Sequence, residues 1–174
     1  MEDLQYPIGK HEAKPFSEKE WKERLLHIQT LPLHLEYAIL NLDEAQLNSP
    51  YRPGGWTVTQ LVHHVADSHM NAYMRFKLAL TEDNPTIKPY DQDLWAGLPD
   101  SANLPTNIST TLLFSLHHRW HEILKHLPEA DLQKTIYHPE YKKTITLWEL
   151  MGTYAWHGKH HVAHITSLKK RMGW

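Results

Sequence analysis

The sequence predicts an all-α protein: a four-helix bundle with a long loop between its second and third helices and a small hairpin before its last. Three observations carry this. Four long stretches repeat apolar residues at helical spacing. Two of them open on capping boxes, SEKE at Ser17–Glu20 and TLWE at Thr146–Glu149. The connections between them are polar or rich in proline and glycine.

Residues 1–16, with Pro7, Gly9 and Pro15, read as an arm lying on the surface of one domain spanning 1–174. The first helix follows Ser17, whose hydroxyl can take a free amide while Glu20 reaches back. Its apolar stripe is Leu25, Ile28, Leu35, Ile39 and Leu42, and Pro32 should kink it or split it in two. NSPYRPGGW, Asn48–Trp56, is loop chemistry, and Thr57 caps a second helix reaching about Thr81. A polar, proline-bearing loop then spans Glu82–Thr106, long enough to suggest that it covers a site. The third helix fits Ser109–Leu127, on Leu112, Leu113, Leu116, Trp120, Ile123 and Leu124. TIYHPEYKKTIT suggests the hairpin, and Thr146 starts the last helix, running to about Met172.

Composition excludes several chemistries. Without cysteine there is no disulfide, thiolate zinc site, iron–sulfur cluster or cysteine nucleophile. A net charge of -2 gives no reason to expect nucleic acid as a partner. No apolar run has the length of a membrane helix, and MEDLQYPIGK lacks the pattern of a signal peptide, so a cytoplasmic protein is expected. The 15 histidines stand out: a transition-metal site here must use imidazole and carboxylate.

WHGKHHVAHIT, Trp156–Thr166, holds two histidine pairs at i,i+4 spacing, His157 with His161 and His160 with His164. The apolar face of the last helix is set by Leu147, Leu150, Met151, Tyr154, Ile165, Leu168 and Met172. His157, His161 and His164 fall inside it and His160 at its edge, which favours His157 with His161 and leaves His164 as a further member. Gly158 leaves room on the same face. On the second helix His63 points away from the apolar face, toward solvent. His64 shares a flank with Ser68, Asn71 and Arg75. That flank is either ordinary solvated surface or one wall of a polar cavity, with His64 a ligand and Asn71 and Arg75 substrate anchors. His69 falls in the apolar centre, as a hydrogen-bonded core residue would. His117 and His121 form a rival pair, off the apolar arc of their helix.

The chain resembles the DinB/YfiT-like superfamily, and within it the YfiT group of metal-dependent hydrolases. The resemblance is carried by YPIG, SPYRPGGWTVTQLVHHVADSHMNAYMRFKLALTE, IKPYD with Trp95, HHRW, YHP, ITLWEL and YAWHGKHHVAHITSLKKRMGW. It implies a four-helix bundle, a homodimer, and one divalent metal, zinc or else nickel, on His64, His157 and His161. Broader family members have Gly-Gln where this chain has Ala163 and His164. Some relatives, the bacillithiol S-transferases, move low-molecular-weight thiols to electrophiles.

Three imidazoles leave a coordination position open, the pattern of a catalytic site. The expected function is therefore a metal-dependent hydrolase that activates water against a small-molecule substrate. The alternatives are a thiol S-transferase and a non-catalytic metal-binding bundle, whose site His164 would close as fourth ligand. Asp67 and Glu149 are candidates to orient the imidazoles. Asp91 and Asp93, on the long loop, are candidates for the general base.

Overall fold

The computed structural model describes residues 2–174, with side chains from Leu4 onward. Its elements are α1 (Glu2–Gln5), α2 (Glu18–Ile39), α3 (Glu44–Leu47), α4 (Val58–Thr81), α5 (Gln92–Ala96), α6 (Pro99–Asn103) and α7 (Thr106–Leu124). A 3-10 turn (Glu129–Gln133), strands β1 (Thr135–His138) and β2 (Lys143–Thr146), and α8 (Leu147–Met172) complete the chain. The long helices α2, α4, α7 and α8 form a four-helix bundle. Both α2 and α4 pack against α7 and α8, so the two helices that come first in the chain sit on a diagonal.

The helix starts follow local chemistry. Thr57 accepts from the amide of Gln60, whose side chain returns to the Thr57 amide. Thr146 and Glu149 form the same reciprocal pair. At Ser17 only half of the expected box forms. The hydroxyl accepts from the Glu20 amide, but the Glu20 carboxylate turns to Lys14 and to Arg24 instead. Charge attraction to two cations outweighs one backbone amide.

Two other expectations are corrected. Of the two outcomes expected at Pro32, the split does not occur: helix α2 is continuous from Glu18 to Ile39, with Pro32 buried inside it. The stretch 82–106 is not one open loop: it contains α5 and α6, and a bridge from Thr86 to Tyr137 ties it to the hairpin. The hairpin forms as expected, with Thr135 opposite Thr146 and His138 opposite Lys143. The arm lies along α8, where Trp156 Nε1 donates to the Gly9 carbonyl and Trp148 Nε1 to that of Lys14.

The buried side chains form two apolar cores. One gathers Ile28, Phe76, Trp120, Leu124, Leu147 and Met151. The other gathers Leu35, Leu61, Val65, Leu113 and Ile165. Leu112, expected inward, is largely exposed. The apolar spacing on α7 is satisfied by Leu113, Leu116, Trp120 and Leu124 without it. Buried histidines pack against these cores: His64 and His69 from α4, His117 from α7, and His160, His161 and His164 from α8, with His157 beside them. His69 meets Trp120 of the first core and His164 meets Tyr51 of the second.

Candidate metal centre

The centre is built from α4 and α8. His64 lies two turns into α4, its ring against Trp56 with centroids 4.6 Å apart. His157 and His161 are one turn apart on α8. The Nε2 of His157 stands 3.3 Å from that of His64 and 3.1 Å from that of His161. One ligand atom from each of the three lies within 4.8 Å of the others.

This arrangement fits a metal. Two nitrogens each about 2.0–2.1 Å from a tetrahedral ion stand about 3.3 Å apart. A single proton between His157 and one neighbour leaves the other neighbour facing a lone pair, whereas a cation accepts all three. His161 Nδ1 is buried with no hydrogen-bond partner among the described residues. That cost is accepted where the ring is held for another purpose.

Burial also keeps the rings neutral, the ligating form. It lowers the pKa of His64 to about 4. Those of His157 and His161 fall well below the usual value, chiefly through burial and further through neighbouring histidines.

His164 does not join the cluster. Its Nε2 meets that of His160 at 3.0 Å, and its ring packs on Tyr51 at 4.3 Å. His160, placed at the edge by the helical wheel, is buried because the arm covers it, with Tyr6 5.9 Å from its ring. The room beside Gly158 is filled by Leu31, not by the site. His63, expected in solvent, is buried against the start of α7, paired to Ser109 Oγ at 2.7 Å and to the Leu104 carbonyl at 3.0 Å. His117 is buried, since α2 covers that flank of α7, while its expected partner His121 stays half-exposed. His69 is a core residue as expected, bonded to His117 and to His157.

The remaining candidates separate by position. Arg75 and Asp91 line a cavity of about 680 Å³ that also touches His157, Tyr90, His138 and Tyr154. Arg75 Nη1 donates to Tyr154 Oη, and Arg75 forms no ion pair among the described residues. Asn71, expected as an anchor beside it, turns back to the Asp67 carbonyl and does not line that cavity. Asp91 is engaged in capping α5. Asp93 lines a second cavity, of about 440 Å³, with His64, His157 and His161, and accepts from Trp56 Nε1. Glu149 is spent on its cap, and neither Glu149 nor Asp67 hydrogen-bonds a ring of the triad. For His157 the partner of the outer nitrogen is another histidine, His69, in place of the carboxylate expected. Sequence reasoning also passed over His138, which is buried and stacked on Tyr141 at the cavity wall; nothing in its spacing marks it.

A helical bundle with a largely buried three-histidine cluster opening on a cavity defines a class, and the chain belongs to it: residues 28–165 match the DinB superfamily. It is 55% identical, over the whole of both chains, to proteins of Bacillus cereus and Bacillus thuringiensis named putative metal-dependent hydrolases. Its fold matches the solved structure of YfiT from Bacillus subtilis with a TM-score of 0.96, at 44% identity and covering 99% of each chain. That protein is described as a probable metal-dependent hydrolase with an unusual four-helix bundle topology.

Proposed function

We propose that this protein is a metal-dependent hydrolase acting on small molecules that carry an anionic group. The observation that carries the reading is the convergence of the His64, His157 and His161 Nε2 atoms beside an open cavity. A divalent ion, for which we assign zinc over nickel, would supply there a Lewis acid and a water that ionises near neutral pH.

The chain's own groups supply the rest. His160 and His164 bond to each other, so neither adds a fourth ligand. Arg75, held by the Tyr154 hydroxyl, presents its charge to the neighbouring cavity of about 680 Å³, which also touches His157, and anchors the anionic group there. Asp93 is the base: Trp56 fixes one carboxylate oxygen, and the other is left to take a proton. Asp91, with an oxygen engaged by two backbone amides, is the poorer acceptor.

The test is to determine the metal content of the purified protein. The loaded protein is then assayed against small anionic esters and amides, with and without a low-molecular-weight thiol. Metal-dependent turnover indifferent to the thiol is expected. Turnover only with the thiol would make the protein an S-transferase, and full metal content without turnover in either arm would make it a binding bundle.

A further inference from the structure

We propose that Pro32 and a row of three hydrogen-bonded histidines hold the proton of His157 on Nδ1, so that its Nε2 lone pair is fixed as the ligating nitrogen. This rests on the metal reading only for its purpose; the tautomer follows from the hydrogen bonds alone.

The row begins with a proline. In an α-helix each amide donates to the carbonyl four residues back. Pro32 has no amide hydrogen, so the carbonyl of Ile28 loses its donor within α2. Ile28 is buried, and water cannot replace that donor. His117 of α7 does so: its Nδ1 lies 2.5 Å from the Ile28 oxygen. A carbonyl only accepts, so the His117 proton sits on Nδ1.

Each further step then has one polarity. His117 is fully buried and neutral, so its Nε2 is a lone pair. The Nδ1 of His69, 3.0 Å away, must donate to it. His69 is fully buried as well, and its Nε2 is in turn a lone pair. The Nδ1 of His157, 3.1 Å away, must donate to that. The lone pair of His157 is thereby left on Nε2, the atom that faces His64 and His161. Reversing the row would set a lone pair against the Ile28 oxygen in a dry interior, a buried acceptor facing an acceptor.

A free neutral imidazole prefers its proton on Nε2, the arrangement that would block ligation through that atom. The row holds three successive rings in the less favoured form, and each of the four long helices contributes one member: Ile28 from α2, His117 from α7, His69 from α4 and His157 from α8. A metal-ligating histidine ordinarily gains this orientation from a carboxylate or a backbone carbonyl. Here the carbonyl acts across two intervening rings. His161 has no such support, since its Nδ1 is without a partner among the described residues. His69 and His117 are accordingly positioning residues.

The test starts on the metal-free wild-type protein, labelled with nitrogen-15. Long-range proton–nitrogen correlation spectra at pH 7.5 should show His117, His69 and His157 all protonated on Nδ1. Finding the His157 proton on Nε2 would overturn the proposal, and this measurement needs no variant to fold. In His69→Phe, zinc affinity measured by chelator competition should fall about 10–100-fold, with the His157 proton moving to Nε2. His69→Gln should recover most of the affinity, because an amide can accept from His157 and donate to His117. Pro32→Ala returns a donor to the Ile28 carbonyl and should shift the His117 signals. A folded His69→Phe protein with unchanged zinc affinity and an unchanged His157 signal would overturn the row. Wild-type protein with the expected tautomers but no zinc binding would sink the metal reading and leave the row standing.

Discussion

Gly158 of α8 meets Leu31 of α2 so closely that a Cβ built on the glycine would lie 2.7 and 2.8 Å from the two Leu31 methyls and 3.2 Å from its Cγ. The contact sits one residue from His157, and the approach of α2 to α8 depends on it. Rotation about χ2 of Leu31 moves the methyls but not Cγ, and a change of χ1 needs space that buried Leu31 does not have. Gly158→Ala would gain about 1 kcal/mol of helix propensity and lose about 1–3 kcal/mol to overpacking, so a net loss is expected. With Leu31→Ala as the background the clash is gone, and the same change should stabilise by about 1 kcal/mol. Urea unfolding of the four proteins of this cycle checks the reversal of sign; an additive result would show that the contact is not tight.

The ligand set predicts a contrast along one helix face. His161→Ala should purify with little metal, its affinity down by at least about 100-fold, beyond what loss of an outer partner costs. His164→Ala should keep the full complement, because His164 bonds to His160 and not to the cluster. Elemental analysis of both proteins, with circular dichroism to confirm their helicity, decides the matter. Equal metal loss in both would mean that His164 is a fourth ligand.

Stability should depend on pH through the buried histidines. His64 titrates at about 4 in the fold against an ordinary 6.5, because burial disfavours its charged form. Between these values the unfolded chain binds the proton and the folded chain does not, so stability rises with pH across that window. It is fully present above about 6.5 and is lost as pH falls toward 4. The Tm of metal-free protein should decline over this range, and added metal should raise the whole curve by mass action. A Tm that is flat from pH 7 to 4.5 would contradict the burial of these rings as neutral groups.

Arg75 should act on substrate and not on metal. Arg75→Met removes the charge from the cavity wall while leaving the triad intact. Against an anionic substrate KM should rise about 10-fold or more, as expected for losing a hydrogen bond to a charged group. A neutral analogue should be affected far less. An equal effect on both, measured in steady-state kinetics, would remove Arg75 from the substrate site.

Much of this was legible in the chain. The capping pairs at Thr57 and Thr146 and the apolar stripes of the long helices are local patterns, and local patterns fix helices. The i,i+4 spacing of His157 and His161, with the wheel that turns both inward, is equally local. His63 shows where that reasoning stops. A wheel ranks a residue against its own helix, and it turns His63 to solvent because it does not contain the start of α7 that covers that side chain.

His117 and Pro32 show the same limit more sharply. Sequence alone marks Pro32 as a fault in a helix and His117 as a residue off its apolar stripe. It determines that the carbonyl of Ile28 loses its own donor, because that follows from the missing amide hydrogen and a spacing of four. Which group replaces the donor is decided only where α2, α7, α4 and α8 cross, since hydrogen bonds between helices depend on distances of a few tenths of an ångström that no periodicity encodes. The sequence determined which residues were able to hold a metal, and the packing of the bundle decided which nitrogen each of them would present.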